Sequence, residues 1–130
     1  MTRLYLPATL HLLARLQQHG SLPVGDDVVV VHEEDEDAEY DALMTAAETA
    51  ALLAAELEEG ERRRVVVVAE VTTLRDSITL PEVVAVHADV EDLPPGAELE
   101  DVEDLGDLAW YATQEIDAVL STLAGPGTAS

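Results

Sequence analysis

The 130-residue chain has no cysteine, phenylalanine, lysine or asparagine, and aromatic residues make up only 3% of it. Each absence excludes something. Without cysteine there is no disulfide, no thiol nucleophile and no thiolate-bound metal. With one tryptophan, three tyrosines and no phenylalanine, a core must be built from Val, Leu and Ala. No apolar run approaches the roughly 20 residues that cross a bilayer. Met1–Pro7 lacks the basic start, apolar stretch and small-residue cleavage site of a secretory signal. A cytoplasmic protein without a membrane partner is therefore expected.

Positive charge is also scarce. Against 28 acidic residues stand six basic ones, all arginine, giving a net charge of -22. That balance argues against direct contact with nucleic acid and favours a basic protein partner. The hydrophobic fraction of 48% argues against global disorder. Two origins of the acidity stay open. A GC-rich genome accounts for the missing Lys, Asn and Phe and is preferred; adaptation to salt is the other.

The local pattern reads as strand, helix, strand, helix, strand, strand, helix. Arg3–Leu6 is a strand ended by Pro7. Thr9 caps a helix carrying Leu10, Leu13 and Leu16, which Gly20 stops. Residues 21–25 read as loop, and the β-branched run Val28–Val31 as a strand. The acids Glu33–Asp37 form a turn and open a long helix, where the helix dipole favours them. Its apolar stripe is Tyr40, Leu43, Ala47, Ala50, Ala54 and Leu57, and Gly60 ends it.

Arg62-Arg63-Arg64 precede a second valine strand, Val65–Val68. Thr72–Leu80 is a connection, and Val83–Val86 a further strand. An acidic loop spans Glu91–Asp104. The stripe Leu105, Leu108, Ala109, Ala112, Ile116, Val119 and Leu123 predicts a final helix, and residues 125–130 a disordered tail.

Valine runs without polar alternation suggest strands buried on both faces, as in parallel sheets. The expected fold is thus a single α/β domain over residues 1–124. It has about four strands, mostly parallel, covered by three helices. A two-layer α+β arrangement of the split βαβ kind is the rival.

Three segments carry a resemblance: Arg3-Leu4-Tyr5-Leu6-Pro7-Ala8-Thr9, Val84-Ala85-Val86-His87-Ala88-Asp89 and Trp110-Tyr111-Ala112-Thr113-Gln114-Glu115-Ile116. Between them lie Glu39-Tyr40-Asp41-Ala42-Leu43 and Arg63-Arg64-Val65-Val66-Val67. Together they resemble an uncharacterised family of small acidic actinobacterial proteins, a domain of unknown function. The resemblance spans nearly the whole chain and implies an actinobacterial source. It supplies no activity and no catalytic residues.

Candidate chemistry sits where strands become polar. His32, Glu70 and His87 follow or end the three valine runs. If those strands are parallel, the three side chains meet along one sheet edge, where open α/β sheets bind ligands. Two imidazoles and a carboxylate suit Zn²⁺ or Fe²⁺, or acid–base work near neutral pH. Against this, local hydrogen bonding at a strand end explains each residue and is the preferred reading, and an antiparallel last strand would carry His87 to the opposite edge.

Trp110, Gln114 and Asp117 share a face of the expected last helix, and a tryptophan beside polar groups suits a partner contact. Glu33, Glu34 and Asp35 supply the densest charge. The three consecutive arginines read as offsets to nearby acids. The leading expectation is a non-enzymatic interaction or regulatory protein binding a basic partner, with no cofactor. A metal-dependent or acid–base enzyme, a nucleic-acid mimic and a homo-oligomeric subunit are the alternatives.

Overall fold

The computed structural model describes residues 2–32, 35–57, 62–89 and 108–124. The elements in chain order are β1 (Thr2–Ala8), α1 (Leu10–His19), β2 (Ser21–Pro23), β3 (Val29–Val31) and α2 (Glu36–Ala55). After them come β4 (Val65–Val71), β5 (Ser77–Thr79), β6 (Val83–Ala88), β7 (Ala109–Tyr111) and α3 (Ile116–Ala124). Short 3-10 turns occupy Leu80–Glu82 and Thr113–Glu115.

Five strands form one sheet in the order β3-β1-β4-β6-β7, and every pairing in it is antiparallel. β2 and β5 make a separate two-stranded antiparallel sheet. The mostly parallel α/β sheet expected from the valine runs is therefore corrected to an antiparallel α+β fold. The physical reason is coverage on both faces. Leu4, Leu6, Val65, Val67, Ala69 and Val86 pack with α1 and α3, while Tyr5, Val66, Val68 and Ala85 pack with α2. A strand between two helical layers reads as continuous apolar sequence whatever its direction, so the run alone does not set the direction.

The first helix forms as its ends dictate. The Leu12 N–H donates to Thr9 Oγ1 at 3.2 Å, and Gly20 closes the helix at φ +76°, with its N–H on the Leu16 carbonyl at 2.8 Å. Pro7 does not end β1. β3 pairs with β1 only as far as Tyr5, so beyond it β1 has one neighbour and a proline is tolerated.

α2 meets the sheet through Ala42, Ala46 and Ala47, all buried, so backbone and strand approach without large side chains between them. Residues 21–23 and 77–79, read as loop and connection, pair with each other instead. Leu22 and Ile78 from that small sheet join the core on the α1 side. The largest change falls at the end of the chain. Residues 109–111 form β7 against β6, and the helix begins only at Ile116. The expected acidic loop, Gly60 and the tail lie outside the described residues.

The scarce arginines are spent on the fold. Arg64, just before β4, and Asp89, just after β6, extend the Val65–Ala88 rung. Asp89 Oδ2 accepts from the Arg64 backbone N–H at 2.8 Å and from Nε at 2.9 Å, and Oδ1 accepts from Nη2 at 2.7 Å. Both side chains are buried. Arg62 Nη1 donates to the Leu57 carbonyl at 3.3 Å, a cation at the end of α2.

Two outcomes follow from this packing. Asp89→Ala leaves the Arg64 charge buried without its carboxylate and lowers stability by about 3–5 kcal/mol in urea unfolding. The joint Arg64→Leu and Asp89→Leu variant recovers most of that loss. Ala46→Leu forces α2 off the sheet and costs about 1–3 kcal/mol in the same measurement.

Candidate functional site

α2 lies across one face of the sheet with a groove along each flank. Helical periodicity builds both. Ala38, Asp41, Ala42 and Thr45, at i, i+3, i+4 and i+7, turn toward the edge strand β3. Tyr40, Leu43, Met44 and Ala47, with the same spacing, turn toward β6 and β7.

The first groove has a volume of about 490 Å³ and is completed by Val29, Val30, Val31 and His32. Its lining is mostly Val and Ala, with the Asp41 carboxylate among it, and further carboxylates flank β3 and the start of α2 in sequence. Asp26 and Asp27 precede β3, Asp35 stands at the start of α2, and Glu36, Asp37 and Asp41 follow; all six are exposed. Asp35 has a local task as well, since its Oδ1 accepts from the Asp37 N–H at 3.1 Å and so caps α2. Glu33 and Glu34 lie outside the described residues.

Arg3 pairs with Val31 of β3 across the sheet, and its charge is committed. One guanidinium nitrogen contacts Glu39 of α2, and the other donates to Glu70 Oε1 at 3.0 Å. Burial opposes the charged form of Arg3, but the Glu70 and Tyr5 hydrogen bonds and the two carboxylates outweigh it and raise its pKa. Burial pushes the Tyr5 phenol up as well. This end of the sheet is therefore a closed ion cluster, with uncompensated acids beyond it.

The second groove, about 270 Å³, is walled by Tyr40, Leu43 and Met44 on one side and by His87, Leu108 and Trp110 on the other, with Arg64 at its base. Trp110 and Tyr40 are each 59% exposed, far more than a packing role for the rings requires. His87 is half-buried, and that burial holds its pKa below the ordinary imidazole value.

The structure takes His87 away from the other two residues that sequence reasoning grouped with it. Glu70 sits opposite Arg3, near one end of β4, whereas His87 sits opposite Val66, near the other. Four residues of strand separate the two rungs, roughly 13 Å. His32, exposed beyond β3, has its Nδ1 3.3 Å from Thr2 Oγ1. β3 and β4 both run antiparallel to β1, so His32 and Glu70 stay at one end of the sheet, whereas β6 runs against β4 and carries His87 to the other end. Among the described residues, no group of three or more acids and histidines is placed to hold a metal.

Trp110, Gln114 and Asp117 are likewise divided. Trp110 is on β7 and faces α2, Gln114 is in a 3-10 turn, and Asp117 is in α3 on the opposite face. Asp117 Oδ1 accepts from Gln17 Nε2 at 2.7 Å and ties α3 to α1. Sequence reasoning missed the Arg64–Asp89 pair and Tyr40 as an exposed ring. The first had a signal: an arginine immediately before one buried strand and an aspartate immediately after another.

The chain belongs to a family of unknown function, DUF6912, which it matches over residues 2–120. No curated protein and no solved structure matches it. No helix among the described residues is long and apolar enough to cross a membrane.

The buried imidazole gives a testable pH dependence. The folded protein disfavours the protonated form of His87, while the unfolded chain protonates near the ordinary value of 6.5. The contribution of neutral His87 is thus complete above that value and is lost as pH falls from there toward the lower folded pKa. His87→Gln should flatten the fall in urea midpoint between about pH 7 and about pH 5 relative to wild type. NMR should show the His87 ring protonating below the usual range.

Proposed function

We propose that this family member is a non-enzymatic binding protein that takes a basic segment of another protein into the groove between β3 and α2. The observation that carries the reading is the charge around that groove. Exposed Asp41 lines it, five more exposed carboxylates precede β3 or open α2, and Arg3 on the neighbouring strand is paired with Glu39 and Glu70. Exposed Trp110, on the other flank of α2, serves in this reading as a second contact for the same partner, since aromatic rings hold cationic side chains.

A groove lined by Val and Ala beside Asp41 suits a protein segment better than it suits mimicry of a nucleic-acid backbone. The enzyme reading has lost the convergence it required. The setting in this proposal is the cytoplasm of an actinobacterium, whose GC-rich codon use explains the missing Lys, Asn and Phe.

Binding of a fluorescent arginine-rich peptide tests the proposal. Affinity and association rate should fall as salt rises from about 0.05 to about 0.5 M. The joint Asp26→Asn, Asp27→Asn and Asp41→Asn variant should bind roughly tenfold more weakly at low salt. Association that ignores both salt and these substitutions overturns it.

A further inference from the structure

We infer that the partner segment binds as an added β-strand on the free edge of β3. This rests on the basic-partner reading above and specifies its geometry. β3 is an end strand of the five-stranded sheet, and β1 is its one strand neighbour among the described residues. An end strand turns alternate N–H and C=O groups outward, where they pair with any extended backbone that fits alongside. The groove of about 490 Å³ runs between this edge and α2, so an added strand has a recess for its inward side chains.

The recess selects small apolar side chains. Its walls are valine and alanine, with Asp41 and Thr45 as the polar groups of the helix. The ends select charge. Asp26 and Asp27 stand at one end of β3, and Asp35, Glu36 and Asp37 at the other. A segment alternating Arg or Lys with Val, Ala or Thr meets both requirements, because alternate residues of a strand face opposite ways.

The same charges decide against a second copy of this chain as the occupant. Two copies each carry a net charge of -22, and the acids at both ends of β3 would meet their own kind. Short length and flanking charge are devices by which proteins keep an edge strand from pairing with itself. Here they leave the edge open to a strand of opposite sign.

The test uses the full chain and an array of extended peptides alternating Arg or Lys with Val, Ala or Thr. Each peptide is paired with a version N-methylated at alternate backbone nitrogens, which keeps its charge and removes donors. The expected result is tight binding by several peptides, lost at least about tenfold on N-methylation along one edge. Hydrogen exchange at Val29–Val31 should slow on binding. Thr45→Trp, which fills the groove without changing charge, should weaken binding similarly.

Peptides that bind in a salt-sensitive way, but equally well when N-methylated and without protecting β3, overturn strand addition and leave the basic-partner reading intact. Binding by none of the array overturns both. Protection of β3 in the free protein, as a monomer or in a dimer seen by sedimentation, shows that this chain already occupies the edge and also overturns the inference.

Discussion

The organisation of the molecule follows from β4 being covered on both faces. Val65, Val67, Ala69 and Val71 face the layer of α1 and α3, while Val66 and Val68 face α2. Such a strand admits no polar side chain along its middle, so charge is confined to its ends. At one end Glu70 joins Arg3 and Glu39; at the other Arg64 is buried against Asp89. A buried ion pair is weak evidence for net stability, because desolvation offsets its attraction. Its geometric effect is firmer. The Arg64 backbone and side chain both reach one carboxylate, and the Asp89 N–H returns a bond to the Arg64 carbonyl at 3.1 Å. This fixes where β4 begins and β6 ends.

Side-chain size sets the rest of the packing. The chain has no phenylalanine, and its sole tryptophan lies on the surface groove. The helix on the open face therefore packs through alanine. A small-residue contact lets α2 lie close over β1, β4 and β3. Short side chains on its flank toward β3 leave the groove there open. A larger residue at Ala38 would fill it.

Local signals were legible in the sequence, and long-range ones were not. Thr9 and Gly20 bounded α1, because capping is decided within a few residues. The valine runs marked β3, β4 and β6, because burial on both faces leaves a composition. Direction and order left none: an antiparallel central strand and a parallel one need the same side chains. The Trp110 segment failed for a different reason. Leu108, Ala112, Ile116 and Val119 do repeat at helical spacing, yet residues 109–111 pair with β6 and the helix waits until Ile116. A hint was present in Thr113, a residue that favours helix starts and local bonds over helix interiors. Its Oγ1 donates to the Val83 carbonyl at 2.7 Å, and Glu115 accepts from the Ala112 N–H at 2.9 Å. Strand direction moved His87 away from Glu70 and left His32 at the Glu70 end of the sheet.

The acidity divides into two roles that act at different ranges. Glu39, Glu70 and Asp89 are bound to arginine and belong to the fold. Asp26, Asp27, Glu36, Asp37 and Asp41 are exposed and project into solvent. An exposed ion pair contributes only about 0.2–1 kcal/mol, so these acids do not by themselves hold a partner tightly. Their summed field acts earlier, raising the encounter rate with cations and rejecting anions, including other copies of this chain. In the proposed strand addition, grip comes from what the field does not supply, namely apolar burial in the groove and backbone bonds along β3. Under that proposal charge decides which segments arrive, and the valine edge decides which of them stay.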